Sequence, residues 1–154
     1  MGTPQRSASR PEPAQPPPSR QPARRPRRKN VVLIADDVQD TRDMYSAFLE
    51  SRGLRAVTAR DGAEAVVVAT SLRPDVIIMD LAMPQLDGIS ATRRLKRDPK
   101  TDAIPVILLT GYSHIATDRH VLEAGVDVFL RKPCLPQDLE DHVRRLLDRR
   151  AERS

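Results

Sequence analysis

At 154 residues, with 39% hydrophobic and 3% aromatic content and no tryptophan, the chain suits one domain with an aliphatic core and is too short for two. A single cysteine, Cys134, excludes an internal disulfide, and no apolar run nears the roughly 18 residues that cross a bilayer, so a cytoplasmic protein is expected. The net charge of +5 is unevenly placed: residues 1–30 hold eight of the 26 Lys and Arg residues and one of the 21 acids, net +7, which leaves −2 for the rest.

Residues 1–30 also carry eight of the 14 prolines, among Ser, Gln, Ala and Arg. Such a stretch buries little apolar surface and lacks amide donors, so a disordered tail with polyproline II bias is expected. Its Arg24, Arg25, Arg27, Arg28 and Lys29 could attract nucleic acid or an anionic surface through salt-sensitive contacts, although no aromatic stands there to stack on bases. A solubilising extension or a misassigned start is the plainer reading.

From Val31 a strand–helix alternation is repeated five times. Short apolar runs at Val31–Ala35, Leu54–Thr58, Val76–Met79, Ile104–Leu109 and Val126–Leu130 read as strands buried on both faces, with Pro105 tolerated at the start of the fourth. Between them, Tyr45, Phe48 and Leu49 share a helical face that stops at Gly53. Asp61 is placed to cap a helix whose Ala65, Val68, Ala69 and Leu72 recur at helical spacing. A weaker helix over Ile89–Arg97 must end near Pro99, and Ile115–Ala124 stops at Gly125. The last helix opens with Pro136 and aligns Leu139, Val143, Leu146 and Leu147, its Arg144-Arg145 and Arg149-Arg150 pairs forming the wet face. The expected organisation is a tail over 1–30, a domain over 31–150 and a short end over 151–154.

This alternation predicts an α/β fold: a doubly wound, five-stranded parallel sheet of flavodoxin-like order 2-1-3-4-5 with helices on both faces. Ligands of such sheets bind beyond the carboxyl ends of the strands. There Asp36 and Asp37 follow strand one, Asp80 follows strand three, Thr110 ends strand four and Lys132 follows strand five. Each alone is an ordinary cap, strand end or solvated lysine. Together, crowded carboxylates call for a divalent cation such as Mg²⁺, and with a hydroxyl and a lysine they suit phosphoryl transfer. Asp80 is then the nucleophile, and the Asp36–Asp37 pair holds metal.

The segments VVLIADD (31–37), DVIIMDLAMPQLDG (75–88), IPVILLTG (104–111) and AGVDVFLRKP (124–133) resemble the response-regulator receiver domains of two-component systems, of the stand-alone kind related to chemotaxis-type receivers. The resemblance implies that Asp80 is the phospho-acceptor, served by a histidine kinase or histidine phosphotransfer protein. It assigns Asp36, Asp37, Asp80 and the main-chain carbonyl of Ala82 to Mg²⁺, and Thr110 and Lys132 to the phosphoryl group. It makes Thr110 and Phe129 the switch pair and implies a cis Lys132-Pro133 bond. The chain departs from the pattern with Phe129 in place of Tyr and with Gly111 after Thr110, which loosens that loop. Ala82 and Tyr112 stand where receivers tune phosphate lifetime, and the small–bulky pair suggests a moderately long-lived phosphoryl group.

Output is expected through the fourth helix, fifth strand and fifth helix toward an unidentified protein, the receiver acting alone and catalysing only its own phosphorylation and dephosphorylation, so not an enzyme in the turnover sense. An alternative is a phosphorelay intermediate that passes phosphate onward. A flavin or nucleotide binder on the same fold would need a Gly-rich or Ser/Thr-rich loop after strand one, where this chain has Asp36-Asp37-Val38-Gln39-Asp40. His114, His120 and His142 lack ligand partners at metal spacing, and Cys134 is expected to be a small apolar residue on the loop into the last helix, although its basic neighbourhood could lower its pKa.

Overall fold

The structure, a computed structural model, describes residues 28–111 and 119–153, with Gly2, Pro4, Pro13 and Ala14 as isolated positions. Most of the basic tail, and Tyr112, His114 and Ile115, lie outside the described residues.

Five parallel strands, β1 (Val31–Ala35), β2 (Arg55–Ala59), β3 (Val76–Asp80), β4 (Val106–Thr110) and β5 (Val128–Arg131), lie in the order β2-β1-β3-β4-β5. The helices are α1 (Gln39–Ser51), α2 (Gly62–Leu72), α3 (Gly88–Arg97), α4 (Arg119–Glu123) and α5 (Pro136–Arg153). Strand periodicity divides the core in two. Leu33, Ile77, Met79 and Leu108 pack under α2, α3 and α4, while Val32, Ile34, Ile78, Ile107 and Leu109 meet Tyr45 and Leu49 of α1 and Leu139, Val143, Leu146 and Leu147 of α5. β1, β3 and β4 are buried at every position, as continuous apolar runs with helices on both sides should be.

Several boundaries differ from the sequence expectation. Pro105 and Ile104 precede β4, and the Pro105 carbonyl accepts from Ile77 N–H at 3.0 Å, the one main-chain bond a proline can still make. β5 begins at Val128 because the Asp127 side chain takes the Val106 N–H (2.8 Å) and Lys96 (3.0 Å) instead. Leu54 is buried just outside β2, which runs on to Ala59. Leu72, aligned by spacing with the core face of α2, is 49% exposed because the helix ends there, at Arg73 in the left-handed region (φ 48°). α5 continues past Arg150 to Arg153.

The arginine pairs of α5 are not wholly a wet face. Arg144 donates to the Arg52 carbonyl (2.6 Å) and to the buried Glu140, which also takes Arg52 (3.1 Å), tying α1 to α5. Arg150 donates to the Asp75 carbonyl at 2.9 Å, while Arg145 and Arg149 are exposed. Among the described residues no helix is long and apolar enough to cross a membrane.

Candidate functional site

All five strands are parallel, so their carboxyl ends lie at one pole, and the switch in strand order leaves a crevice between β1 and β3. Asp36 follows β1 and is 2% exposed; one oxygen accepts the Val38 N–H (2.9 Å), and Arg42 holds its carbonyl (2.7 Å). Asp37 beside it is exposed. Asp80, the last residue of β3, is 5% exposed. One ligand oxygen from each of Asp36, Asp37 and Asp80 can be chosen so that all lie within 4.8 Å of one another. Lys132, following β5, reaches Asp80 at 2.9 Å and Asp36 at 3.4 Å. Thus four residues from three distant stretches of the sequence meet as expected. Lys132-Pro133 is the one cis peptide among the described residues.

The electrostatics follow from burial. Desolvation raises the Asp80 carboxyl above its usual range, and the Asp36 and Asp37 charges push the same way, against Lys132. Burial works to lower Lys132, but the hydrogen bond and charge of Asp80, with Asp36, outweigh it and hold the ammonium above its ordinary value. Among the described residues, Lys132 alone pairs with this cluster, reaching two of its three carboxylates. Three hard oxygen donors with one lysine beside an open crevice fit Mg²⁺, which takes one or two carboxylates and keeps room for waters and phosphate.

The crevice, about 410 Å³, is lined by Asp37, Val38, Asp80, Leu81, Ala82, Gly111 and Lys132. Ala82, expected as a main-chain ligand, thus lines the site. Thr110 ends β4 as expected and is 5% exposed, while the next residue, Gly111, lines the opening. Phe129 lies in β5 opposite Leu108, half-buried against the cluster under α3 and α4. Cys134 packs partly into the α1–α5 core, and burial and Asp138 push its thiol up, the direction opposite to that of an activated thiol. His120 and His142 belong to no metal-ligating cluster among the described residues.

The supporting roles of three residues escaped sequence reasoning. Gly88 passes so close to the Asp80 carbonyl that a Cβ would collide with it, and Asp87 caps α3 by accepting from Ile89 and Ser90 N–H, both at 2.9 Å. The Asp87-Gly88 pair was visible, but only the fold shows that it abuts β3. The Tyr45 hydroxyl donates to the Cys134 carbonyl at 2.7 Å, fastening α1 to the loop that carries Lys132. No local signal could have linked positions 89 residues apart.

A family model described as "Response regulator receiver domain" matches residues 32–144. The chain belongs to the response regulator receiver family. A DNA-binding dual master transcriptional regulator RpaA of Synechocystis sp. is 37% identical over 77% of this chain and 49% of its own length. The receiver thus spans about half the length of the curated relatives it matches. The signal receiver domain of a signal transduction histidine kinase from Syntrophus aciditrophicus superposes with a TM-score of 0.71 at 39% identity, covering 77% of this chain and 90% of that one. The receiver domain of a sensor histidine kinase of Pseudomonas aeruginosa, with a magnesium ion coordinated in its active site cleft, gives 0.71 at 32% identity, covering 79% and 99%. Receiver domains are phosphorylated by histidine kinases, bind Mg²⁺ in an acidic active site and act on downstream effectors.

Proposed function

We propose that this receiver accepts a phosphoryl group on Asp80 from a phosphohistidine of a histidine kinase or phosphotransfer protein, and signals that event to a partner protein. The observation that carries the reading is the gathering of Asp36, Asp37 and Asp80 within 4.8 Å around an opening whose adjoining cation is Lys132. In the reaction an Asp80 carboxylate oxygen attacks phosphorus, the P–N bond breaks, and its electron pair stays on the departing imidazole, which takes up a proton. Lys132, already on Asp80, meets the incoming phosphoryl oxygens with a charge that its neighbours keep on.

Asp36, Asp37, Asp80 and the Ala82 carbonyl would hold Mg²⁺, which when bound offsets charge on the carboxylates and phosphoryl oxygens. Thr110, at the end of β4, donates its hydroxyl to the phosphoryl group, and Phe129 moves inward behind it, changing the surface of α4, β5 and α5 that a partner reads. Asp80 is consumed and regenerated, so chemistry is confined to this one acceptor. Intact mass after incubation with acetyl phosphate and Mg²⁺ tests the reading. One phosphoryl adduct is expected on the wild type and none on Asp80→Asn; an adduct persisting on that variant overturns it.

A second reading, a phosphorelay intermediate, draws support from the likeness to receiver domains of two histidine kinases. It predicts that labelled phosphate leaves Asp80 for the histidine of a phosphotransfer protein faster than for water.

A further inference from the structure

We propose that the pole opposite Asp80, with Arg28 and Lys29 at the entry to β1 there, is a binding surface for the phosphate backbone of duplex nucleic acid. This goes beyond the phospho-acceptor reading and does not depend on it.

Two adjoining grooves mark the surface. One lies where the chain enters β1, lined by Arg28, Lys29 and Arg73 around Asp75. The other is lined by Lys96, Arg149, Arg150 and Arg153, with Asp102 and Asp127 as its only acids. Arg150 joins them, donating to the Asp75 carbonyl at 2.9 Å and to that of Pro74 at 3.5 Å. Seven cationic side chains thus face three carboxylates. Two of those carboxylates are engaged already: Asp75 accepts the Val31 N–H at 2.8 Å, and Asp127 holds Lys96 at 3.0 Å.

Among the described residues, the side chains of Arg28, Lys29, Arg73, Arg149 and Arg153 make no hydrogen bond or ion pair. Arg149 and Arg153 stand one helical turn apart, exposed, and neither has an acidic partner among the described residues. A like-charge i,i+4 pair repels along a helix. The α5 C-terminus favours cations and accounts for part of this clustering, but Arg28 and Lys29 belong to another segment, before β1.

The chemistry favours a duplex backbone over other polyanions. Residues 1–30 contain no aromatic residue, so stacking on unpaired bases has no platform. They also contain no Leu, Ile or Val, and Leu72 is the one exposed large apolar side chain in the grooves, too little to anchor a membrane interface. Arginine forks aimed at phosphates, without base contacts, give sequence-independent and strongly salt-dependent binding.

The test titrates the full chain onto a labelled mixed-sequence duplex of ~20 base pairs, reading anisotropy across a salt series. Arg149→Gln/Arg153→Gln is expected to weaken binding by roughly threefold or more and to reduce the slope of log K against log salt by about one to two. Arg28→Gln/Lys29→Gln should act alike. The charge-matched control, Arg119→Gln/Arg131→Gln, removes exposed arginines away from both grooves and should change little. An unchanged thermal midpoint shows that the α5 variant is folded. The proposal is overturned if the α5 pair behaves like the control, if the wild-type affinity is insensitive to salt, or if phosphatidylserine vesicles capture the protein under conditions where the duplex does not.

Discussion

The two poles of the sheet carry opposite charge by different physical routes. All helices run antiparallel to the strands, so helix N-termini gather where Asp80 is and C-termini gather where the chain enters β1. Asp40 in the first turn of α1, the caps Asp61 and Asp87, and Asp138 in α5 suit the first pole, as Arg150 and Arg153 suit the second. Dipoles favour such charges at little cost because most of them remain wet. Asp36 and Asp80 are another matter. They are buried, close together and shared by one lysine, an arrangement that costs folding free energy. The lesson is that a helix dipole explains charge at a surface, whereas crowding of buried like charges points to chemistry.

Four measurements break or sharpen this contrast. The largest effect is expected from Asp80→Asn, which should abolish phosphoryl uptake and, in chelator, raise the thermal midpoint, because a neutral isostere removes a desolvated charge. Added Mg²⁺ should narrow the gap by stabilising the wild type alone. A wild type that melts at the same temperature with and without Mg²⁺ would show that the acidic pole carries no such cost.

Next, Gly88→Val drives a side chain against the Asp80 carbonyl and the Leu108 side chain, and should destabilise by ~1–3 kcal/mol in urea unfolding. A neutral outcome would mean that the loop yields and does not hold β3 in place.

Asp87→Ala removes the α3 cap and should cost about 1 kcal/mol at neutral pH. Partial burial acts to raise the Asp87 pKa, but hydrogen bonds from Ser90 and Ile89 outweigh it and hold it below the ordinary value. A depressed carboxyl stabilises above its unfolded pKa of about 3.9, and that stability is lost as pH falls through the folded value. The gap between wild type and variant should therefore be flat from neutral pH down and close only in acid; a gap that closes near neutral pH would place the effect elsewhere.

Smallest of all, Arg149→Gln/Arg153→Gln should alter stability by less than about 0.5 kcal/mol, since both side chains are exposed and unpaired among the described residues. A larger loss would assign them a structural role.

Much of the fold was legible because β1, β3 and β4 are apolar at nearly every position and so could only be central, doubly covered strands. The Asp61 cap and the Leu139, Val143, Leu146 and Leu147 stripe were equally plain, being local in spacing. Boundaries failed where a tertiary partner intervened: Asp127 capturing the Val106 amide shortened β5, and the end of α2 at Arg73 left Leu72 exposed. The wet-face reading of Arg144 held only in part for the same reason, because Glu140 and the Arg52 carbonyl engage a side chain that is still 42% exposed.

By itself the sequence determined the class of fold, the strand ends where chemistry would lie and the residues standing there, because alternation, apolar runs and motif order are properties of neighbours along the chain. Only the tertiary structure decided that Lys132 sits between Asp80 and Asp36, that Gly88 must lack a side chain, that Tyr45 fastens the Lys132 loop and that Arg149 and Arg153, unpaired among the described residues, line the opposite pole. Those facts depend on distances between segments brought together by burial, and no local pattern encodes such a distance.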